Sequence, residues 1–157
     1  CNTKDTLDHV NNNLSKDGDF KLAVYSDKNK YKENTPIKLW ATLEYMGEND
    51  QIDIWYDEPI IKLSIYGEGN DFEWKTLSDL LLRTRVMNKN KEISESFKMP
   101  EGSIDDIDNE ELKKFLENSE LQLPSGSYKI IASTDFYMDK ECTENIKIST
   151  EITIKVY

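Results

Sequence analysis

The C-terminal end of the chain alternates apolar and polar residues in an unbroken run. From Ile146 to Val156, isoleucine, threonine or valine occupies every second position, and the residues between them are polar. A period of two places one set of side chains on one face of a β-strand, whereas a helix repeats about every 3.6 residues. Because the apolar face of such a strand has to be covered, we expect a β-sheet that packs against a second layer.

The same period recurs along most of the chain. It predicts further strands over 19–26, 36–45, 51–56, 60–66, 91–98 and 128–138, separated by turn clusters such as Gly47–Asp50. Alternation argues against a parallel α/β sheet, whose strands are continuously apolar. We therefore predict an antiparallel β-sandwich of about seven strands, with a small barrel as the structural alternative. The short link at 46–50 predicts that 36–45 and 51–56 pair as a hairpin.

Two segments depart from the alternation. Residues 75–87 fit either a short helical turn or a loop with a buried leucine cluster. Residues 105–118 predict one inserted short helix, because Asp108 and Glu111 have the spacing of a capping box. The apolar stripe of this helix is Ile107, Leu112, Phe115 and Leu116. A calcium loop over the same acids is disfavoured, because Glu111 would occupy the position that requires glycine.

The N-terminal residues predict a tether. Cys1 is followed by a polar stretch through Gly18, which lacks the apolar surface needed to order itself. The segment resembles the mature N-terminus of bacterial lipoproteins, in which a diacylglycerol is linked to the first cysteine. We therefore expect a flexible lipoprotein tether over 1–18 and the β-sandwich over 19–157. The alternative left open is a disulfide between Cys1 and Cys142.

Composition narrows the location and the partners. Lysine outnumbers arginine 18 to 2, which is typical of the AT-rich genomes of low-GC Gram-positive bacteria. There a lipid on Cys1 would anchor the domain on the extracytoplasmic face of the cell membrane. The net charge of -11 argues against nucleic-acid binding. Since no apolar run reaches the length of a membrane span, the membrane is expected to be contacted through the lipid only.

Catalytic signatures are absent from the sequence. The single histidine, His9, lies in the predicted tether, so the folded part lacks the usual general base. No GxSxG elbow, glycine-rich phosphate loop or HExxH motif occurs. We expect a protein that is not an enzyme, that takes no cofactor or metal, and that is a monomer.

Two sequence motifs resemble a known family. Tyr31-x4-Pro36-Ile37-x-Leu39-x-Ala41-x-Leu43-x-Tyr45 looks like the second strand of bacterial immunoglobulin-like domains, with Glu33 near the expected acid. Leu123-Pro124-x-Gly126-x-Tyr128-x-Ile130 resembles the start of a late strand in the same domains. The segment LWATLEYMGE looks like a domain of uncharacterised Gram-positive lipoproteins, and the layout is distantly similar to BsuPI-type proteinase inhibitors. The resemblance implies an immunoglobulin-like fold, and no functional residue follows from it.

Aromatic residues supply the candidate binding site. Trp40 and Trp55 lie opposite the apolar faces of their strands, so pairing of those strands would place both on one outward face. The candidate set is Trp40, Trp55, Tyr66 and Trp74, with the acidic neighbours Asp53, Asp57 and Glu58. Exposed tryptophan and tyrosine are typical of protein and sugar recognition. The alternative is that these rings belong to the core.

Together these features predict a non-catalytic surface module that binds a protein, peptide or glycan. The second functional candidate is a BsuPI-like proteinase inhibitor that acts through loops 46–51, 67–71 and 139–145.

Overall fold

The computed structural model describes residues 10–96 and 121–157, which form ten strands. The segment predicted to be helical, 105–118, lies outside the described residues. The strands are β1 (Asn11–Asp17), β2 (Phe20–Ser26), β3 (Lys30–Tyr31), β4 (Leu39–Tyr45), β5 (Gln51–Glu68), β6 (Glu73–Lys75), β7 (Leu82–Asn88), β8 (Glu92–Ser96), β9 (Gly126–Tyr137) and β10 (Asn145–Val156). The prediction of an all-β chain is confirmed for these residues.

The strands form two sheets packed as an antiparallel sandwich. The first sheet has the order β1-β2-β4-β8. The second has the order β3-β10-β9-β5-β6, and β7 also pairs with β5. β9 lies along one edge of β5, while β6 and β7 share the other edge. The short contact between β3 and β10 is parallel, and the other pairings are antiparallel.

The core lies between the sheets and follows the alternation seen in the sequence. In β10, every second residue from Ile148 to Val156 is buried, Thr150 included, and the residues that alternate with them are exposed. β2 supplies Phe20 from the first sheet, and its ring lies 4.9 Å from that of Phe136 in β9 of the second sheet. Removing such large apolar side chains from water supplies about 1.5–3 kcal/mol each, so the two inner faces hold the sheets together.

The predicted hairpin of 36–45 with 51–56 is wrong. β4 pairs with β2 and β8 in the first sheet, whereas β5 pairs with β9, β6 and β7 in the second. The link between them therefore crosses from one sheet to the other. Alternation determines which face of a strand is buried, but it does not determine which strand lies beside it.

β5 combines two segments that the sequence analysis treated separately. Its pairing with β9 is regular except at one bulge, where residues 57–60 lie opposite Asp135 alone. This bulge contains the cis Glu58–Pro59 peptide. Ile61, Leu63 and Ile65 return to the buried face beyond it, as their period of two predicts.

The assignment of 1–18 to a flexible tether is wrong for residues 11–17, which form β1. The side-chain amide of Asn11 donates to the carbonyl oxygen of Thr153 at 3.0 Å, and Asn13 donates to that of Glu151 at 3.0 Å. β1 therefore pairs with β2 through its backbone and reaches β10 of the other sheet through its asparagines. This order does not depend on apolar burial, so hydropathy misses it.

Residues 75–87 contain a strand and no buried leucine cluster. Leu82–Asn88 form β7, while 76–81 have no regular structure. Leu77 and Leu80 are 71% and 80% exposed. Both alternatives predicted for this segment, a short helical turn and a loop with a buried leucine cluster, are therefore wrong.

The start of β9 is tied to the turn before it. The Tyr128 hydroxyl donates to the carbonyl oxygen of Pro124 at 2.6 Å. Its ring is buried and packs edge-on against Phe72. Burial raises the pKa of Tyr128 to about 12. Gly126 lies between the two partners with φ of 150°, a conformation that favours glycine.

The bonds from β1 to β10 generate a stability prediction. Replacing both asparagines, Asn11→Ala with Asn13→Ala, should lower the free energy of unfolding by about 1–2 kcal/mol, because two hydrogen bonds between the sheets are lost. Asn12→Ala is the matched control, since its amide reaches only the carbonyl of Val10. It should change stability by less than about 0.5 kcal/mol. Urea denaturation measures all three, and equal losses in both variants would contradict the role of these bonds.

Candidate functional site

Trp40 and Trp55 lie on opposite outer faces of the sandwich. Each points away from the core, because Ala41 beside Trp40 and Ile54 beside Trp55 are buried between the sheets. Since β4 and β5 belong to different sheets, the shared patch predicted for these two rings does not form.

The face that carries Trp40 is occupied by contacts within the sheet. Trp40 stacks on Tyr25 of β2, with 5.4 Å between ring centroids and 10° between the ring planes. On the same face Lys21 forms a salt bridge of 3.0 Å with Glu44, and this bond raises the pKa of the Lys21 amine. These side chains are paired across β2 and β4.

Two other predicted site residues also lie away from Trp55. Trp74 is buried in the core at 9% exposure, opposite Ile65 in the pairing of β5 with β6. Tyr66 lies on the outer face farther along β5, where the amine of Lys75 sits 5.6 Å from its ring centroid. Trp74 is therefore a core residue, and Tyr66 belongs to the far end of β5.

The predicted acidic residues divide into two groups. Asp53 and Asp57 flank Trp55 on the outer face of β5, at alternate positions of the strand. Glu58 instead accepts from the Tyr56 hydroxyl at 3.4 Å and lies 3.9 Å from Arg83 Nε. Arg83 also binds Asp79 at 2.6 Å and holds the pKa of that carboxyl below its usual value.

Trp55 belongs to a row of side chains that crosses the second sheet. It lies directly opposite Thr84 of β7 on one side and Tyr137 of β9 on the other, and Tyr137 lies opposite Asn145 of β10. Directly opposite residues share a face and contact each other. The sequence analysis missed Tyr137, although its position out of phase with the buried Phe136 marks it as outward-facing.

A groove of about 600 Å³ opens beside this row, above the bulge of β5. Its floor comes from the outer faces of β9 and β10, and its walls from the bulge and the 76–81 segment. The lining includes Asp57, Lys62, Ser78, Leu80, Ser133, Asp135, Tyr137, Lys147 and Ser149. Because residues 57–60 face a single residue of β9, the strand is bulged beside the groove.

Hydrogen bonds position the polar floor of the groove. Asn145 Nδ2 donates to Asp135 Oδ1 at 2.5 Å, and Lys147 Nζ lies 4.0 Å from Asp135 Oδ2. Ser133 and Ser149 face each other across β9 and β10. The groove therefore presents hydroxyl groups, an amine and a carboxylate beside an aromatic ring.

Apolar side chains extend this surface toward β7. Leu82 and Val86 share the outer face with Trp55 and are 49% and 46% exposed. Leu80 projects from the wall of the groove. We call Trp55, Tyr137, Leu80, Leu82 and Val86 the outer patch. Its aromatic and aliphatic surface next to polar groups is typical of recognition sites.

The end of the sandwich between β7 and β8 carries charged groups. Burial raises the pKa of Glu95 in β8, helped by the charge of Glu58 and opposed by Arg85 of β7. Glu95 of β8 therefore interacts electrostatically with Glu58 of β5 and with Arg85 of β7.

The three predicted inhibitor loops are compact turns. In the third, the Asp139 carboxylate accepts from the backbone N–H of Thr143 and of Glu144, which holds its pKa below the usual value. In the first, the Tyr45 hydroxyl accepts from Asn49 N, and in the second Asn70 Oδ1 accepts from Phe72 N. Cys142, within the third loop, is a free thiol.

Among residues 10–96 and 121–157, no group of three histidine, cysteine, aspartate or glutamate side chains is placed to hold a metal ion. Within those ranges no helix has the length and apolar character to cross a bilayer.

Comparison with known proteins shows a likeness to solved structures. No protein-family model and no curated protein matches the chain. Among solved structures it is similar to Spo0M, a sporulation control protein from Bacillus subtilis, at 12% identity and a TM-score of 0.43. The alignment covers 89% of this chain and 50% of Spo0M, so the chain spans about half the length of that protein. At this identity and TM-score, the likeness does not identify a shared function.

Proposed function

We propose that the chain is a non-catalytic binding module that recognises a protein, peptide or glycan with the outer patch and the adjacent groove. The observation that carries this proposal is the row Thr84–Trp55–Tyr137–Asn145, which ends beside a groove of about 600 Å³. Aromatic side chains offer large contact areas at a low cost in conformational entropy. Asp53 and Asp57 flank Trp55 and favour partners with basic groups.

An immunoglobulin-like fold is part of the proposal. Support comes from Tyr128, whose hydroxyl bonds the carbonyl of Pro124 four residues upstream. This arrangement is similar to the tyrosine corner of immunoglobulin-like sandwiches. It falls within the LPxGxY segment that resembles such domains in sequence.

The proposal also places the module on the outside of a Gram-positive cell membrane, held by a lipid on Cys1. Support comes from the resemblance of the N-terminal residues to mature lipoproteins. The net charge of -11 disfavours direct binding to anionic lipid, so membrane attachment would depend on the lipid.

Metabolic labelling tests the anchor. With the complete gene expressed in a Gram-positive host, radiolabelled palmitate should label the protein, and Cys1→Ala should abolish the label. Cys142→Ala is the matched control and should keep it. Label that is absent from the wild type, or that survives Cys1→Ala, would contradict the proposed anchor.

Binding to an array of bacterial glycans and peptides tests the recognition surface. The double variant Trp55→Ala with Tyr137→Ala should bind its array ligand roughly tenfold more weakly, because two aromatic contacts are lost. Trp40→Ala is the matched control, since this ring lies on the opposite outer face, and it should bind as the wild type does. Urea midpoints near the wild-type value would establish that both variants are folded.

Two results would contradict this assignment. One is binding that is unaffected by the double variant, and the other is an equal loss with Trp40→Ala. Stoichiometric inhibition of a protease that neither variant affects would instead favour the second candidate function, a proteinase inhibitor that acts through its loops.

A further inference from the structure

β7 is an edge strand with one side left open. Its residues pair with Gln51–Asp57 of β5 in continuous register, so one set of its backbone groups is bonded. Within the described residues no strand pairs with its other edge. Six of its seven residues are exposed, and only Met87 is buried. An open edge of this kind is a ready template for an added strand.

The opposite side of the sandwich is closed by contrast. There the side-chain amides of Asn11 and Asn13 donate hydrogen bonds to backbone carbonyl oxygens of β10. β7 contains no proline to prevent pairing, and its charged residues are Arg83 and Arg85. The free backbone groups of β7 are therefore available to a partner.

The two faces of β7 differ in chemistry. Leu82 and Val86 lie on the outer face and pair with Asp57 and Asp53 of β5. Arg83 and Arg85, the two arginines of the chain, lie on the other face. An added strand would thus meet apolar side chains next to acids on one face and guanidinium groups on the other.

Arg85 is the arginine available to a partner. Arg83 is engaged by Asp79 at 2.6 Å and lies 3.9 Å from Glu58. Arg85 forms no salt bridge with another described residue and is exposed. A guanidinium binds a carboxylate through two parallel hydrogen bonds, so an acidic side chain opposite Arg85 is the complement that this edge favours.

We propose that β7 binds an extended segment of a partner polypeptide as an additional strand, with apolar residues facing Leu82 and Val86 and acidic residues facing Arg85. Acids on the outer face would instead share that face with Asp53 and Asp57, which lie one strand further in on β5, so charge favours the alternating pattern in one orientation. The inference rests on the proposed function, and it narrows the partner to a polypeptide.

A second copy of this chain fits the edge poorly. Antiparallel pairing of two β7 strands about their centres places Arg83 opposite Arg85, or Arg85 opposite itself. Like charges directly opposite each other are destabilising. The net charge of -11 on each chain adds repulsion between copies.

A short blocked peptide that alternates valine and glutamate is the probe. Titration followed by amide hydrogen exchange should show slower exchange of the β7 amides that point away from β5 when the peptide binds, because the added strand accepts their hydrogen bonds. Replacing glutamate by glutamine in the peptide should weaken binding, because the charge opposite Arg85 is lost. Two further peptides carry N-methyl groups on alternate amides, one phase on the odd-numbered positions and the other phase on the even-numbered positions. At least one of the two should fail to bind.

Arg85→Glu should weaken binding of the glutamate peptide about fivefold, as expected for an exposed ion pair replaced by repulsion. Lys16→Glu on β1 is the matched control, because it makes the same charge change on the edge strand at the other side of the sandwich. It should leave peptide affinity unchanged. The Trp55→Ala with Tyr137→Ala variant separates this edge from the groove and should retain protection of β7 by the peptide.

Several results would overturn strand addition. They are no binding at millimolar peptide, equal binding of the glutamine peptide, binding unaffected by methylation in either phase, and protection in the free protein of the β7 amides that point away from β5. Peptide binding that depends on Trp55 and leaves β7 exchange unchanged would also overturn it, while the proposed function would stand. Array binding that the Trp55→Ala with Tyr137→Ala variant leaves unchanged, with the peptide effect intact, would overturn the groove and leave strand addition in place.

Discussion

The mutual burial of two apolar sheet faces is the constraint on which the rest of the structure depends. Neither sheet has another layer to cover its inner face among the described residues, so each protects the other from water. Phe20 and Phe136 meet across this contact, with ring centroids 4.9 Å apart. Because the inner faces are committed to the core, recognition is left to the outer faces and the strand edges.

The edges then distinguish the two sides of the sandwich. On one side, asparagine amides of β1 bond the β10 backbone and join the sheets. On the other side, β7 carries exposed leucine, valine and arginine beside the outer patch. The bulge of β5 adds the groove at the same end of the second sheet. Both proposed recognition features therefore lie on and beside β5.

The sequence predicts which face of a strand is buried far better than it predicts which strands lie beside each other. The buried face of β10 and the outward position of Trp55 follow from a period of two, since the side-chain direction is a local property of an extended chain. The separation of Trp40 from Trp55 does not follow from this period, because the sheet to which each strand belongs depends on packing across the whole domain. β1 was missed since its side chains bond backbone groups instead of burying apolar area. The exposed leucines near β7 misled the analysis, because hydropathy favours burial and carries no information on an open edge.

The most direct test of this account is whether β4 and β5 belong to different sheets, since the separation of the two tryptophans follows from it. Backbone nuclear Overhauser contacts in the isotope-labelled protein measure strand neighbours directly. The two-sheet arrangement predicts contacts from β4 to both β2 and β8, with Leu43 opposite Leu22 and Ile93. Backbone contacts between β4 and residues 51–56, as in a hairpin, would contradict it.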